Sequence, residues 1–218
     1  MSPPPRIAPS ILSADFARLG AQVAEVVDAG ATVIHVDVMD GHFVPPLSMG
    51  PQVVEALRGL EGVTLDVHLM VERPERHIDA FAKAGAHIIT IHAEATPHVD
   101  YAVNAIREAG CRAGVALCPS TPPDVFSQVD PEVALCMTVN PGWGGQPFIE
   151  AMLSKIEILR MTLGDEVEIE VDGGIVPATA TRCREAGASL FVAGSSIFGA
   201  NDPAAAYAEL VAAVETAT

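Results

Sequence analysis

Three short runs place ionisable side chains two residues apart. His35, Asp37 and Met39 alternate with Ile34, Val36 and Val38 within Thr32 to Met39, and Asp66, His68 and Met70 alternate with Leu65, Val67 and Leu69 within Val63 to Met70. In the run that begins at Val167, Glu168, Glu170 and Asp172 share a face, with Asp172 at its end just before Gly173-Gly174. A period of two is that of a β-strand. Strands covered on both sides normally read as unbroken Val, Ile and Leu, so an inward His or Asp in such a run needs a partner. Any one of these histidines alone would read as a satisfied core residue. Together, His35, Asp37, His68 and Asp172 offer two imidazoles and two carboxylates, a ligand set suited to one divalent ion, Zn2+ first and Fe2+, Mn2+ or Co2+ after it.

Other residues suit the surroundings of such a site. Met39, Met70 and Met137 end or lie within strand-like runs; each alone reads as packing, but beside a metal they could line a pocket without competing for protons. Three glycine clusters follow three successive runs near the end of the chain: Gly142-Trp143-Gly144-Gly145, Gly173-Gly174, and Gly194-Ser195. Loops of this kind bind phosphate through backbone N–H groups. His92 and Thr90 share a face and could reach the site, although a core role is the simpler reading of His92. His42, His77, His87 and His98 carry no spacing signal.

Eight runs must position these groups: Arg6 to Ile11, Thr32 to Met39, Val63 to Met70, His87 to His92, Arg112 to Cys118, Ala134 to Val139, Val167 to Val171, and Ser189 to Ala193. They alternate with amphipathic stretches, the pattern of a parallel sheet. Ala29-Gly30, Ala84-Gly85, Ala109-Gly110 and Ala186-Gly187 each close a helical stretch shortly before the next strand. A repeated strand, helix and glycine stop, with no G-x-G-x-x-G after a strand, favours a closed (β/α)8 TIM barrel over an open dinucleotide-binding sheet. Polar residues at the carboxyl ends of barrel strands are where such folds build chemistry.

The chain has 218 residues, 50% of them apolar, enough for one core and short for two α/β domains. The expectation is a single catalytic barrel over 1–218. A formal net charge of −16 argues against nucleic acid and anionic membranes as partners. It also implies that any phosphate is held by backbone rather than by a basic cluster. No apolar run approaches a membrane span, and the first residues carry no secretion pattern, so a cytoplasmic protein is expected. Cys111, Cys118, Cys136 and Cys183 have no metal-finger spacing and read as reduced thiols.

The sequence resembles the ribulose-phosphate 3-epimerase family nearly end to end. The likeness is carried by Ala8-Pro9-Ser10-Ile11-Leu12-Ser13-Ala14-Asp15, by His35-Val36-Asp37-Val38-Met39-Asp40-Gly41-His42-Phe43-Val44-Pro45, by Asp66-Val67-His68-Leu69-Met70, and by Val171-Asp172-Gly173-Gly174-Ile175, in that order. The resemblance implies that His35, Asp37, His68 and Asp172 bind the metal, that Asp37 and Asp172 carry protons, and that Ser10 and His68 contact substrate. It also implies a phosphate cradle of Gly142 to Gly145, Gly173, Gly174, Gly194 and Ser195, a small phosphorylated ketose as substrate, and a homo-oligomer. Trp143 and Pro46 depart from the family's usual Phe and Asn.

The implied reaction inverts C3 of D-ribulose 5-phosphate. Inversion needs a proton carrier on each face of a planar intermediate, which Asp37 and Asp172, on separate strands, can provide. The alternatives are an epimerase of a longer ketose phosphate such as allulose 6-phosphate, a metal-dependent aldolase, which would not need two opposed carboxylates, and a phosphosugar-binding barrel without catalysis.

Overall fold

The computed structural model describes residues 4–217. Eight strands form one parallel sheet: β1 (Arg6–Pro9), β2 (Val33–Met39), β3 (Thr64–Met70), β4 (Ile88–His92), β5 (Arg112–Leu117), β6 (Val133–Met137), β7 (Glu168–Asp172) and β8 (Leu190–Ala193). Neighbours in sequence are neighbours in the sheet, and β1 also pairs with β8. An isolated parallel bridge between Ser10 and His35 joins the β1 side to β2, so the sheet closes into a (β/α)8 barrel as expected.

The crossovers are helices α1 (Leu19–Asp28), α2 (Pro51–Leu57), α3 (Ile78–Ala84), α4 (Val99–Glu108), α5 (Met152–Leu163) and α6 (Pro177–Glu185), then α7 (Ser195–Phe198) and α8 (Pro203–Glu215) after the last strand. Between β5 and β6 the crossover is a 3-10 segment, Pro123–Ser127, rather than an α-helix. The Ala-Gly pairs end α1, α3, α4 and α6, with each glycine at positive φ. β1 stops at Pro9, two residues short of the expected end. There the Ser10 hydroxyl accepts the Leu12 N–H at 3.3 Å and turns the chain into a 3-10 segment. β6 likewise stops at Met137, and the Thr138 N–H donates to the Asp172 carbonyl.

Registers stack the inward side chains in layers: His35 lies opposite Asp66, Asp37 opposite His68, and Met39 opposite Met70. At the amino end, Glu168 accepts from Arg6 at 2.6 Å and Arg112 at 3.1 Å, so the first of the three β7 acids closes the barrel floor rather than joining the chemistry. In mid-barrel, Gly114 lets two strands approach: a Cβ there would lie 2.1 Å from Thr90 Oγ1 and 3.1 Å from its Cα. Gly114→Ala is therefore expected to cost about 1–3 kcal/mol through overpacking. Adding Thr90→Ala should recover part of that cost, because the Thr90 hydroxyl has no hydrogen-bond partner to lose. Urea midpoints of the two single variants and the double variant check this, and strictly additive losses would refute it.

Candidate active site at the carboxyl end of the barrel

A cavity of about 380 Å³ opens where β1, β2, β3, β6, β7 and β8 end. Ser10, Asp37, Met39, Met70, Met137 and Asp172 form its floor and walls. Gly142, Trp143, Gly144 and Gly145 line it from the loop after β6, Gly173 and Gly174 from the loop after β7, and Gly194 and Ser195 from the turn into α7. His35 and His68 lie fully buried beneath that surface, in contact with Asp37. All the residues expected at the site thus converge. No Lys or Arg is among the described residues lining the cavity, as the acidic composition led us to expect.

Asp37 is the centre. Ser10 Oγ donates to its Oδ2 at 2.6 Å, while His35 Nε2 and His68 Nδ1 lie 3.3 and 3.1 Å from its Oδ1. Burial would raise its pKa, but the two histidines and their hydrogen bonds outweigh it and hold the carboxyl below the usual carboxylate range. Asp172 is the opposite case: its side chain is 18% exposed, with His68 Nδ1 at 3.9 Å. Burial first, and the Asp37 charge second, push its pKa up to about 7. Two carboxylates at one site are thus driven apart, one ionised and one near its midpoint at neutral pH.

Beneath them, His35 Nδ1 donates to Asp66 Oδ2 at 2.7 Å, and Glu170 Oε1 lies 3.3 Å from the same nitrogen. Burial lowers His35, yet Asp37 and Asp66 more than reverse this and hold its pKa well above the ordinary value. Burial and the Asp66 charge hold Glu170 well above the usual carboxylate range. On the other side, His68 Nε2 meets His92 Nε2 at 2.9 Å, and burial lowers both rings, His92 to about 4. The sequence showed Asp66 and Glu170 on the right faces, two residues before His68 and Asp172, but offered them no role. Glu94 was missed, although His92-x-Glu94 repeats the same spacing of two.

The donor set fits a divalent ion. His35, Asp37, His68 and Asp172 each offer one ligand atom, and the four atoms lie within 4.8 Å of one another. Each imidazole has its remote nitrogen engaged, by Asp66 or by His92, which is how metal-ligating histidines are commonly oriented.

The glycine loops leave their backbone bare toward the cavity. At Gly174, with φ +65°, a Cβ would lie 2.8 Å from the Phe148 nitrogen, so no side chain fits where the loops after β6 and β7 meet. Trp143 is 55% exposed on the cavity lip. Gln146 Nε2 donates to the carbonyls of Asn140 and Trp143 at 2.6 and 2.9 Å and ties that loop to itself. Pro46 packs beside Gly142, and its carbonyl accepts the Gly41 N–H at 2.9 Å.

The four cysteines are free thiols. Among the described residues, no helix is long and apolar enough to cross a membrane.

Among solved structures, the fold is similar to KGPDC from Streptococcus mutans in complex with D-R5P, with a TM-score of 0.76 at 20% identity over 98% of each chain. It is also similar to 3-hexulose-6-phosphate synthase from Salmonella typhimurium, with a TM-score of 0.74 at 15% identity over 98% of this chain and 100% of that one. At such identities the likeness is one of fold. Sequence relatives are much nearer. The ribulose-phosphate 3-epimerase of Bacillus subtilis is 52% identical over 213 residues, covering 94% of this chain and 97% of that protein. The enzyme of the same name from Synechocystis is 50% identical, covering 95% and 92%. The chloroplastic ribulose-5-phosphate-3-epimerase of Arabidopsis thaliana is 48% identical, covering 96% and 75%. Residues 6–198 match the Ribulose-phosphate 3 epimerase family, and this chain belongs to that family.

Proposed function

We propose that this protein interconverts D-ribulose 5-phosphate and D-xylulose 5-phosphate, with Asp37 and Asp172 exchanging protons at C3. The observation that carries the reading is the pair of carboxylates held in different protonation states at one cavity. His35, Asp37, His68 and Asp172 would hold one divalent ion, Zn2+ being the first choice for two imidazoles and two carboxylates and Fe2+, Mn2+ or Co2+ the others. When bound, such an ion supplies a Lewis acid that polarises the substrate's carbonyl and makes the neighbouring C–H more acidic.

Asp37, kept ionised and oriented by the Ser10 hydroxyl, accepts the C3 proton of one epimer; Asp172, half-protonated near neutrality, delivers its own proton to the opposite face of the planar enediolate. In the other direction the roles exchange, so one proton leaves the substrate and one arrives in each turnover. Met39, Met70 and Met137, all buried, exclude water from the intermediate without offering protons. Ser10, on the cavity wall, is assigned to substrate contact; His68, expected there too, is fully buried with both ring nitrogens engaged and is assigned to the metal alone. Backbone N–H groups of Gly142, Gly144, Gly145, Gly173, Gly174, Gly194 and Ser195 would receive the phosphate, and Trp143 would cover it from the lip. The whole chain, 1–218, is read as one catalytic barrel working in the cytoplasm as a homo-oligomer.

Incubating the metal-replete protein with D-ribulose 5-phosphate in deuterated water should yield D-xylulose 5-phosphate labelled at C3 by NMR, and a chelator should suppress both signals. Product without label, or neither product nor label, would overturn the two-carboxylate reading. Turnover of allulose 6-phosphate in place of the pentose would move the assignment to the longer sugar.

A further inference from the structure

We propose that Glu94 and His92 form a positioning relay that fixes the proton on the outer nitrogen of His68 and so presents its Nδ1 to the metal. The inference rests on His68 being a ligand, as proposed above.

The chain of contacts runs from the buried site to the rim. His68 Nε2 lies 2.9 Å from His92 Nε2, and His92 Nδ1 lies 3.2 Å from Glu94 Oε2. His68 and His92 are fully buried, whereas the Glu94 side chain keeps 24% of its surface exposed. The tautomers follow from donor and acceptor counting. An ionised carboxylate only accepts, and Glu94 Oε1 already receives the Cys118 N–H at 2.7 Å and the Thr121 hydroxyl. Its Oε2 therefore calls for a proton on His92 Nδ1. Two ring nitrogens 2.9 Å apart need one donor and one acceptor. With His92 protonated at Nδ1, its Nε2 accepts and His68 Nε2 donates. His68 Nδ1, 3.1 Å from Asp37 Oδ1, is then the nitrogen that a metal can take.

The relay is held in place on two sides. The Phe43 ring packs on His92 with centroids 4.7 Å apart. The segment that supplies Cys118 and Thr121 is anchored by Lys155, a buried side chain whose Nζ donates to the carbonyls of Cys118, Pro119 and Thr121 at 3.1, 2.7 and 2.7 Å. A cation on three carbonyls fixes the loop that fixes Glu94. Cys118 Sγ lies 3.6 Å from His92 Nδ1, where a thiol proton would impose the opposite tautomer, and ionised Asp37 calls for a proton on His68 Nδ1 that a bound ion would displace.

Protein labelled with 15N in its histidines decides between them. Long-range proton–nitrogen correlation spectra of the zinc-loaded chain are expected to show His92 protonated at Nδ1 and bare at Nε2. In Glu94→Ala that preference should vanish. Zinc affinity, measured by competition with a chromophoric chelator, should fall about 10–100-fold, while kcat at saturating zinc changes far less. Glu94→Gln, whose carbonyl oxygen can still accept from Nδ1, should fall between the two, and circular dichroism should show both variants folded. His92 protonated at Nε2, or Glu94→Ala binding zinc as tightly as the parent, overturns the relay. A parent protein that binds no divalent ion overturns the metal reading and the relay's role together.

Discussion

Asp172→Asn is expected to lower epimerisation by about 10³-fold, within the range of about 10²–10⁴ for loss of a positioned acid–base group, and to leave the chain folded. The carboxyl has Asn's shape, and its pKa near 7 means that much of the population is already uncharged at neutral pH. A neutral amide therefore suits the site that a carboxylate resists. Because Asp172 is also assigned as a ligand, turnover must be read at saturating metal. The informative readout is isotopic. With Asp37 intact, one epimer should still exchange its C3 proton with deuterated water, although conversion to the other has stopped. A mere ligand or packing role would lower exchange of both epimers together. Near-normal turnover in metal-replete Asp172→Asn would end the two-carboxylate mechanism.

The site was legible because strand alternation is rigid. Once His35 and Asp37, Asp66 and His68, and Glu170 and Asp172 were read at a spacing of two, their common face followed from backbone geometry. The barrel followed from eight alternating units, and the helix stops from Ala-Gly pairs.

What stayed hidden depends on contacts between segments distant in sequence. Nothing in Arg6, Arg112 and Glu168 separately shows that two guanidinium groups meet one carboxylate at the barrel floor. His92 read as a core histidine; its two partners, His68 and Glu94, come from another strand and from the turn beyond its own. The 3-10 crossover at Pro123–Ser127 was not anticipated either, since its length and prolines resemble an ordinary loop. The early end of β1 reflects Ser10 serving both as the cap of the following turn and as a donor to Asp37. Propensity alone does not contain such a double use.

The metal-free protein is expected to lose stability as pH rises from about 6.5 to 8, whereas the metal-loaded protein is not. Stability falls with pH wherever the folded state binds more protons than the unfolded one. His35 is raised by Asp37 and Asp66 against burial, so its contribution is complete below its unfolded value near 6.5 and is lost as pH climbs through the higher folded value. Glu170, raised by burial, has the same sign from about 4.3 upward. Asp172 has it between about 4 and 7. His68 and His92 are lowered, so they contribute fully above about 6.5 and lose that contribution only as pH falls. Asp37 and Asp66 are lowered too, and theirs is lost only below about pH 4.

Below pH 6.5 these opposing slopes partly cancel. Above it, only the destabilising ones remain. A divalent ion replaces the proton on His35, so its binding should tighten over the same range, adding about 4 kcal/mol of stability at a thousandfold excess over Kd. Thermal unfolding between pH 6 and 8.5, in chelator and in zinc, should therefore give two curves that diverge as pH rises. A flat or rising curve in chelator would mean that the buried carboxylates and His35 do not hold extra protons. Parallel curves would mean that the ion does not bind where those protons sit.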